Sequence, residues 1–349
     1  MNNISVGING LGRIGRCVLR NLWEREGIDC ACINELNPDI DNLIYLLKYD
    51  STYGHFNGKI QRCGNKIVIE SNIKKWEINV SSEIEITDVN WDDCSCVIIS
   101  SGVEKHFESA SKMLGQTLKY VFITHEYNWA DFTVLFGFNE HDFDKDKHNV
   151  VSTSICDSVA VTPVLNLINQ QFGIEYCFIT TLHPWLSYQK LTDSYVSSQM
   201  FPSTYYNYYP LGRSSVGNMI PKPTSLGEAI STHIEGLSDK LMTFSYRTPT
   251  QSVCSADISI ILDTNTTEKD FLEFLESFNN KNNPAGYPLF ATSYEPMVSC
   301  DYIASDLSCT IDLRWLKVDK NKYVKLVLWY DNEWGYSARV ADSIDLLRR

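Results

Sequence analysis

The sequence lacks several features that would assign it to a specialised class of protein. It has no internal repeat, no low-complexity tract and no apolar run approaching the roughly 18 residues of a membrane-spanning helix. Its start leads directly into a predicted strand, without a basic region or a cleavage site. We therefore expect a cytosolic protein with no membrane partner.

Clustered basic residues and paired cysteines are also missing. The chain has 30 Lys and Arg against 43 Asp and Glu, and its net charge of −13 disfavours nonspecific binding to nucleic acid or anionic membranes. Its 11 cysteines include no Cys-x-x-Cys pair, and none is spaced with histidines as in a zinc site. We expect reduced thiols, no metal site and no nucleic-acid partner.

The composition that is present is that of an ordinary globular protein. Hydrophobic residues make up 44% and charged residues 21% of the 349 residues, which is enough apolar material for a large core. A chain of this length exceeds the usual size of a single core. The sequence therefore predicts two domains.

The first motif is a glycine-rich loop between a strand and a helix. Residues 4–8 form a predicted buried strand, and Gly10, Gly12 and Gly15 follow in a Gly-x-Gly-x-x-Gly pattern that opens an apolar helix. These glycines suit a tight turn, a close approach of backbone to a pyrophosphate and close helix–strand packing. Glu35 ends the second predicted strand, where an acid contacts the ribose hydroxyls of NAD. The sequence therefore predicts NAD binding, in preference to NADP.

The order of predicted elements changes near the middle of the chain. Residues 1–155 alternate strands and helices, including predicted strands at 97–99 and 134–138 and a helix at 104–114, which predicts a Rossmann-type doubly wound parallel sheet. Residues 156–332 contain strands with few helices, which predicts an α+β domain with a mixed or antiparallel sheet. Residues 333–349 form a predicted terminal helix. The fold class is therefore α/β with a second, catalytic domain.

Cys156 is the candidate nucleophile. The apolar spacing after it predicts a helix that starts near Asp157, so the thiol would lie at a helix N-terminus. The partial positive charge of that terminus favours thiolate over thiol. The alternative is that Cys156 is a buried and inert cysteine.

Several blocks of the sequence resemble the glyceraldehyde-3-phosphate dehydrogenase family, which includes erythrose-4-phosphate dehydrogenase. They are GINGLGRIGR near the start, KYDSTYGHF from Lys48, the Cys156 segment, TTLH ending at His183, YRTPT from Tyr246 and WYDNEWGYSARV from Trp329. The resemblance covers nearly the whole chain in the order of the family. It implies a homotetramer and a C-terminal helix, residues 333–349, that returns to the NAD-binding domain.

The resemblance also implies roles for individual residues. Cys156 would attack an aldehyde to form a thiohemiacetal and then a thioester, with His183 as the general base. Arg247 and Thr224 would bind a substrate phosphate, and Asn332 would hold the nicotinamide carboxamide. The remaining positions matching cofactor contacts are Gly10, Arg13, Ile14, Glu35, Ser101 and Thr124.

This chain departs from the family pattern around its nucleophile. The family writes Ser-Cys-Thr-Thr-Asn-Cys, whereas Ile155 and Asp157 flank the cysteine here. Two threonines of the family's phosphate site are replaced by Leu186 and Tyr188, and only Thr224 remains of its Ser-Thr-Gly. The pocket therefore differs from that of the glycolytic enzyme.

We interpret the sequence as an NAD-dependent oxidoreductase that acts on a short phosphorylated sugar aldehyde through a cysteine thioester. Because Asp157 would repel an incoming phosphate, we expect water to release the acid, as in erythrose-4-phosphate dehydrogenase. If Asp157 instead caps the helix, phosphate could still serve. The alternatives are a phosphorylating glyceraldehyde-3-phosphate dehydrogenase and a non-catalytic NAD-binding homologue.

Overall fold

The computed structural model describes residues 3–198, 200–205 and 207–348. Its contacts divide the chain into two compact units. The first comprises the chain up to Val134, His141–Ser154 and the segment from Val340 onwards, and the second comprises Leu135–Glu140 and Ile155–Arg339. The sequence-based domain limits, 1–155 with 333–349 and 156–332, stay a prediction, and Met1, Asn2 and Arg349 lie outside the described residues.

The first unit alternates strands and helices from its first residues. Its elements are β1 (Ile4–Asn9), α1 (Arg13–Trp23), β2 (Ile28–Asn34), α2 (Ile40–Lys48), β3 (Tyr49–Asp50), β4 (Gly54–His55), β5 (Lys59–Cys63), β6 (Lys66–Glu70), β7 (Lys75–Ser81), β8 (Cys96–Ile99), α3 (Glu104–Glu108), α4 (Ala110–Met113), β9 (Tyr120–Ile123), β10 (Phe132–Thr133) and β11 (Val150–Ser152).

These strands form a nine-stranded sheet in the order β10-β11-β9-β8-β1-β2-β7-β6-β5. All neighbours from β10 to β7 are parallel, and only β6 and β5 extend the edge as an antiparallel pair. The central strands β1 and β8 are almost entirely buried, as expected for apolar strands covered on both faces. Because the chain leaves β1 towards β2 and later returns to β8 on its other side, the strand order reverses between β1 and β8. Dinucleotides bind at such a reversal point.

The second unit is built around a mixed sheet. Its elements are α5 (Cys156–Phe172), β12 (Ile174–His183), β13 (Ile220–Lys222), α6 (Leu226–His233), β14 (Leu241–Arg247), β15 (Cys254–Leu262), α7 (Glu268–Glu276), β16 (Phe290–Ser293), β17 (Cys309–Asp312), β18 (Lys317–Asp319) and β19 (Tyr323–Tyr330), and α8 (Trp334–Leu346) ends the chain.

The strand order of this sheet brings distant parts of the chain together at the ends of neighbouring strands. The strands lie as β13-β14-β12-β15-β19-β17-β16, with β18 paired to β19. β12 and β14 are parallel, so that His183 and Arg247, the last residues of the two strands, are register partners. β15 is antiparallel to β12 and to β19, which makes Cys254 the partner of Tyr330. The register therefore assembles a polar cluster from four separate strands.

The predicted fold class is confirmed, with local differences. The predicted strand at 134–138 is a turn, because the side chains of Asn139 and Glu140 accept the backbone N–H groups of Leu135 and Gly137, and Gly137 has a φ of +84°. The predicted helix at 104–114 is split into α3 and α4 at Ser109. Within the described residues, no helix is long and apolar enough to cross a membrane.

Candidate active site

The glycine-rich loop of the first unit leaves room for a phosphate group. A Cβ atom at Gly12 would have no neighbour within 4 Å, and Gly12 begins α1 without a capping side chain. The N-terminus of α1 therefore has space beside it for an anion, which its helix dipole favours. Gly15 could not carry a side chain, because its Cβ would lie 2.1 Å from the carbonyl oxygen of Gly10. The loop thus fits the pyrophosphate of NAD.

The other predicted cofactor residues of this unit surround the carboxyl ends of the central strands. Gly10 follows β1 with a φ of +94°, and its missing Cβ would lie 2.7 Å from the backbone of Ser101, which follows β8. Glu35 follows β2, and its carboxylate accepts the Leu11 N–H at 2.6 Å, so it faces the loop and not open solvent. Thr124 follows β9 and donates to the Ile99 carbonyl at 3.0 Å.

Two further predicted residues lie in the first turn of α1. Arg13 forms an ion pair with Asp50 at 2.6 Å, and Ile14 follows it in the helix. The Ser101 hydroxyl is 2.8 Å from His106 Nδ1. The structure therefore places the first-unit cofactor residues at the strand ends and helix start that the sequence predicts. Their contacts with NAD stay a prediction.

Within the second unit, the predicted catalytic and substrate residues line one pocket of about 570 Å³. Cys156 is partly exposed there as the first residue of α5, which confirms its predicted position at a helix N-terminus. His183, Arg247 and Asn332 line the same pocket. Its other lining residues are Ile155, Asp157, Leu186, Lys222, Pro223, Thr224, Ser225 and Glu228.

Asp157 is the partner of His183 and is not a helix cap. Its carboxylate is 3.0 Å from His183 Nε2 and accepts the Tyr330 hydroxyl at 2.9 Å, and the first turn of α5 has no side-chain cap. Burial alone would raise the pKa of Asp157, but His183 and Tyr330 lower it to about 2. Asp157 is therefore an ionised carboxylate inside the pocket wall.

The second ring nitrogen of His183 faces another cysteine. His183 Nδ1 is 3.3 Å from Cys254 Sγ, and Nε2 also lies 3.0 Å from the Thr181 hydroxyl. Cys254 is fully buried and does not line the pocket, so it is not the thiol that a substrate would meet. Both nitrogens of the histidine thus have fixed partners.

The thiol of Cys156 does not have the low pKa that its helix position predicts. Burial raises its pKa well above the ordinary value, and the neighbouring Asp157 raises it further, while Arg247 lowers it. The thiol donates to Asp157 at 3.4 Å. The helix terminus is outweighed first by burial and then by the nearby carboxylate, which carries a full negative charge where the terminus carries only part of a positive one. Burial and Asp157 therefore oppose the thiolate that the helix position alone favours.

Two cations face the nucleophile. Arg247 donates to the Pro184 carbonyl at 3.2 Å, but its buried Nε has no hydrogen-bond partner among the described residues. Burial and the charge of Arg247 lower the pKa of Lys222, whose ammonium donates only to the Pro223 carbonyl, at 2.7 Å, within the part of the chain that is described. Thr224 follows in the same wall. This arrangement supplies donors and positive charge for an anion.

Comparisons with known proteins agree with this geometry. Residues 4–106 match the model of the glyceraldehyde 3-phosphate dehydrogenase NAD binding domain, and residues 155–332 match that of the glyceraldehyde 3-phosphate dehydrogenase C-terminal domain. The chain belongs to the glyceraldehyde-3-phosphate dehydrogenase family. It is 31% identical over 345 residues to glyceraldehyde-3-phosphate dehydrogenase 1 of Agaricus bisporus, covering 98% of each chain. It is 32% identical to the Bacillus cereus protein of the same name over 339 residues, which covers 97% of this chain and 96% of the relative.

Membership of the glyceraldehyde-3-phosphate dehydrogenase family makes the protein an NAD-dependent oxidoreductase. Three site residues of this family member were not predicted from the sequence: Lys222, Cys254 and Tyr330. Lys222 directly precedes the Pro-Thr-Ser segment that was compared with the family's phosphate site, so its position was a usable signal. Cys254 begins β15 and Tyr330 ends β19, and only the strand pairing shows that they meet.

Proposed function

We propose that this protein oxidises glyceraldehyde 3-phosphate with NAD and releases the product by attack of inorganic phosphate. The observation that carries this proposal is the pair of cations, Lys222 and Arg247, in the same pocket as Cys156. Full-length relatives named glyceraldehyde-3-phosphate dehydrogenase support it as well. Release by water, which the sequence favours, depends on an unpaired negative charge at Asp157, whereas this carboxylate is paired with His183.

The proposed reaction begins with the proton of Cys156. The Sγ–H is directed to Asp157, and the Asp157–His183 pair takes this proton as the sulfur attacks the aldehyde carbon. The C–S bond forms as the C=O π bond opens, and the oxyanion of this thiohemiacetal re-forms the C=O bond when hydride leaves its carbon, while the proton of Cys156 stays on the Asp157–His183 pair. NAD, when bound, supplies the acceptor for the hydride that leaves this carbon. A thioester on Cys156 then remains.

The anion-binding residues act in the second half of the reaction. Lys222, Arg247 and Thr224 hold anionic oxygens in the pocket, and an oxygen of phosphate attacks the thioester carbonyl. The C–S bond breaks, an acyl phosphate leaves and Cys156 regains its proton. Asn332 is held by its Oδ1, which accepts the Val253 N–H at 3.1 Å, so that its amide nitrogen remains available for the nicotinamide carboxamide.

We also propose that the protein is a homotetramer, with the outer face of the second sheet as one interface between subunits. Tyr176 and Phe178 on β12, and Met242 and Phe244 on β14, expose apolar side chains on neighbouring positions of this face. A contiguous apolar surface of this kind marks an interaction site. Light scattering of the purified protein measures the number of subunits, and a monomer would contradict this assignment. The expected cytosolic location stays a prediction.

The central experiment measures NADH and acyl phosphate with and without inorganic phosphate. The candidate substrates are glyceraldehyde 3-phosphate, erythrose 4-phosphate and unphosphorylated glyceraldehyde. We expect the first to be the best substrate, with a rate that rises with phosphate and an acyl phosphate product. A phosphate-independent rate on erythrose 4-phosphate with a free acid as product would support the hydrolytic alternative. Absence of NADH formation with all three substrates would support the alternative that the protein is a non-catalytic NAD-binding homologue.

The role of Lys222 is tested by Lys222→Ala. Loss of a charged hydrogen bond costs about 1.5–3 kcal/mol, so we expect the KM for phosphate or for the aldehyde to rise roughly tenfold or more. The matched control is Lys269→Ala on the exposed side of α7. Unchanged KM values in the Lys222 variant would remove this residue from the anion site.

A further inference from the structure

Buried polar side chains of the first unit link the carboxyl ends of β1 and β2 to the segment after β8. Asn9 is 1%, Asn34 2% and His106 7% exposed. His106 Nδ1 lies 3.1 Å from Asn9 Nδ2 and 2.8 Å from the hydroxyl of Ser101, which is a predicted cofactor residue. One ring nitrogen of His106 therefore joins the two strand ends between which a dinucleotide is expected to bind.

The backbone of Glu83 fixes the orientation of these side chains. Its N–H donates to Asn34 Oδ1 at 2.9 Å, and its carbonyl accepts from Asn34 Nδ2 at 2.9 Å. Asn34 Nδ2 also donates to Asn9 Oδ1 at 2.8 Å, so the amide nitrogen of Asn9 is the group that faces His106. Because an amide nitrogen can only donate, His106 Nδ1 must be the acceptor.

The other ring nitrogen of His106 carries the proton. Nε2 lies 3.2 Å from the carbonyl oxygen of Ile84, which can only accept. The neutral ring therefore accepts at Nδ1 from both Asn9 and the Ser101 hydroxyl. The oxygen of Ser101 also accepts the Val103 N–H at 3.4 Å, and one lone pair of this oxygen remains for a further donor.

We propose that His106 is a positioning residue of the cofactor site and that NAD binds tightly only when this ring is neutral. The neutral ring engages the hydroxyl proton of Ser101, so that this oxygen accepts from a ribose hydroxyl of NAD. The ring also holds Asn9, which directly precedes Gly10 of the glycine-rich loop. The proposal rests on the predicted placement of NAD beside Ser101.

Protonation of the ring removes the acceptor that both strand ends share. An Nδ1–H would face the amide hydrogens of Asn9, and the bond from Asn34 keeps this amide from turning its oxygen to the ring. The Ser101 hydroxyl would lose its acceptor as well. Buried donors without an acceptor are unfavourable, so the segments after β1 and β8 would no longer be held in the arrangement that binds the cofactor.

The groups around the ring set the pH at which this change occurs. Burial lowers the pKa of His106, the Ile84 carbonyl and Glu85 raise it, and Lys105 on α3 lowers it, with a net fall from the ordinary value. Glu85 and Lys105 form an ion pair with each other, so their effects on the ring partly offset. The amide side chains that approach from β1 and β2 are uncharged. The ring is therefore neutral at pH 7 and takes up a proton in mild acid.

The test measures NAD binding to the full-length protein by calorimetry between about pH 8 and about pH 5.5. Because the NAD-bound protein keeps the ring neutral, acid favours the free protein, and the Kd should rise at least about threefold over this range. In buffers of different ionisation enthalpy, NAD binding should release a fraction of a proton at the acidic end and almost none at the basic end. A Kd that is constant or falls in acid would overturn the proposal.

Two variants separate the titration of the ring from its packing. His106→Asn places an amide oxygen where Nδ1 lies, which can accept from Ser101 but does not titrate, so the pH dependence and the proton release should both disappear. His106→Leu removes the acceptor and should raise the Kd about twofold to tenfold at pH 8. The matched control is His141→Asn, an exposed histidine of the same unit, which should retain the pH dependence of the unmodified protein.

The outcomes also distinguish this proposal from the others. A pH dependence that persists in His106→Asn and His106→Leu would belong to another group and would overturn the role of His106. Absence of NAD binding at every pH would overturn the cofactor site together with this proposal. Circular dichroism verifies that each variant is folded over the pH range. Because binding is measured without turnover, the result does not depend on the aldehyde substrate or on the acceptor of the thioester.

Discussion

Replacing Asp157 by Asn should make Cys156 more reactive. Asn has nearly the same shape as Asp, so the change removes the charge and leaves the packing of this buried position largely intact. The carboxylate raises the pKa of the Cys156 thiol, while Arg247 lowers it. Without the carboxylate, Arg247, Lys222 and the N-terminus of α5 all favour thiolate. We therefore expect faster alkylation of Cys156 at neutral pH.

The size of the effect follows from the distance between the two groups. Two unit charges about 4 Å apart interact by about 4 kcal/mol at an effective dielectric constant near 20. Asp157 Oδ1 is 3.4 Å from Cys156 Sγ, but the contacts of this carboxylate with His183 Nε2 and the Tyr330 hydroxyl weaken its effect on the thiol. A residual effect on the order of 1–2 kcal/mol remains, and this corresponds to an alkylation rate about fivefold to thirtyfold higher at pH 7.

The assay is the rate of iodoacetamide modification against pH, read at the Cys156 peptide by mass spectrometry. Peptide resolution is needed because the exposed Cys63 and Cys300 also react. The control is Tyr330→Phe, which removes a hydrogen bond to Asp157 and keeps the charge, and which should not accelerate alkylation. An unchanged or slower rate in Asp157→Asn would refute the electrostatic reasoning.

Four further outcomes follow from the site. Cys156→Ala should abolish NADH formation while NAD affinity, measured by calorimetry, stays nearly unchanged; normal turnover would exclude Cys156 as the nucleophile. His183→Asn should lower turnover by roughly two to four powers of ten and shift Cys156 alkylation to higher pH, because Asp157 is left uncompensated; an unshifted profile contradicts this. Glu35→Ala should narrow the preference for NAD over NADP, and equal specificity constants in the unmodified protein would count against Glu35. Because the pKa of Asp157 falls from 3.8 to about 2 on folding, its carboxylate should add about 2 kcal/mol to the free energy of unfolding above pH 3.8. This contribution is lost as the pH falls towards 2, so the difference in urea midpoint between the unmodified protein and Asp157→Asn should shrink over that range.

Local sequence patterns were sufficient for the fold and for the position of the nucleophile. The apolar run at 4–8 predicts β1 almost residue by residue, and helical spacing places Cys156 at the start of α5. The glycine pattern identifies the loop after β1, because its constraint is set by backbone conformation. Such features depend on neighbours in the chain and can be inferred without the tertiary structure.

The electrostatics of the site depend on contacts that no local pattern contains. Asp157 and His183 are separated by 26 residues, and Tyr330 reaches the same carboxylate from the far end of the second unit. Their meeting requires the order β12-β15-β19 and its register, which apolar periodicity does not specify. For this reason the helix terminus was expected to set the state of Cys156, whereas burial and then the carboxylate of Asp157 raise the pKa of this thiol.

The two departures next to Cys156 and the lysine at position 222 are linked by charge. Asp157 introduces a negative charge where the family has a hydroxyl. Its carboxylate is in contact with His183 Nε2 and accepts the Tyr330 hydroxyl, so an incoming anion is repelled less than by a carboxylate without such partners. Lys222 adds a positive charge on the pocket wall that Arg247 shares. The side chain of Ile155 offers no hydrogen-bond donor. If Lys222 and Arg247 hold the attacking phosphate, however, binding of this anion does not require hydroxyl groups beside Cys156. The charge balance therefore favours release of the thioester by phosphate, and release by water would require the phosphate of the substrate itself to occupy Lys222 and Arg247 together.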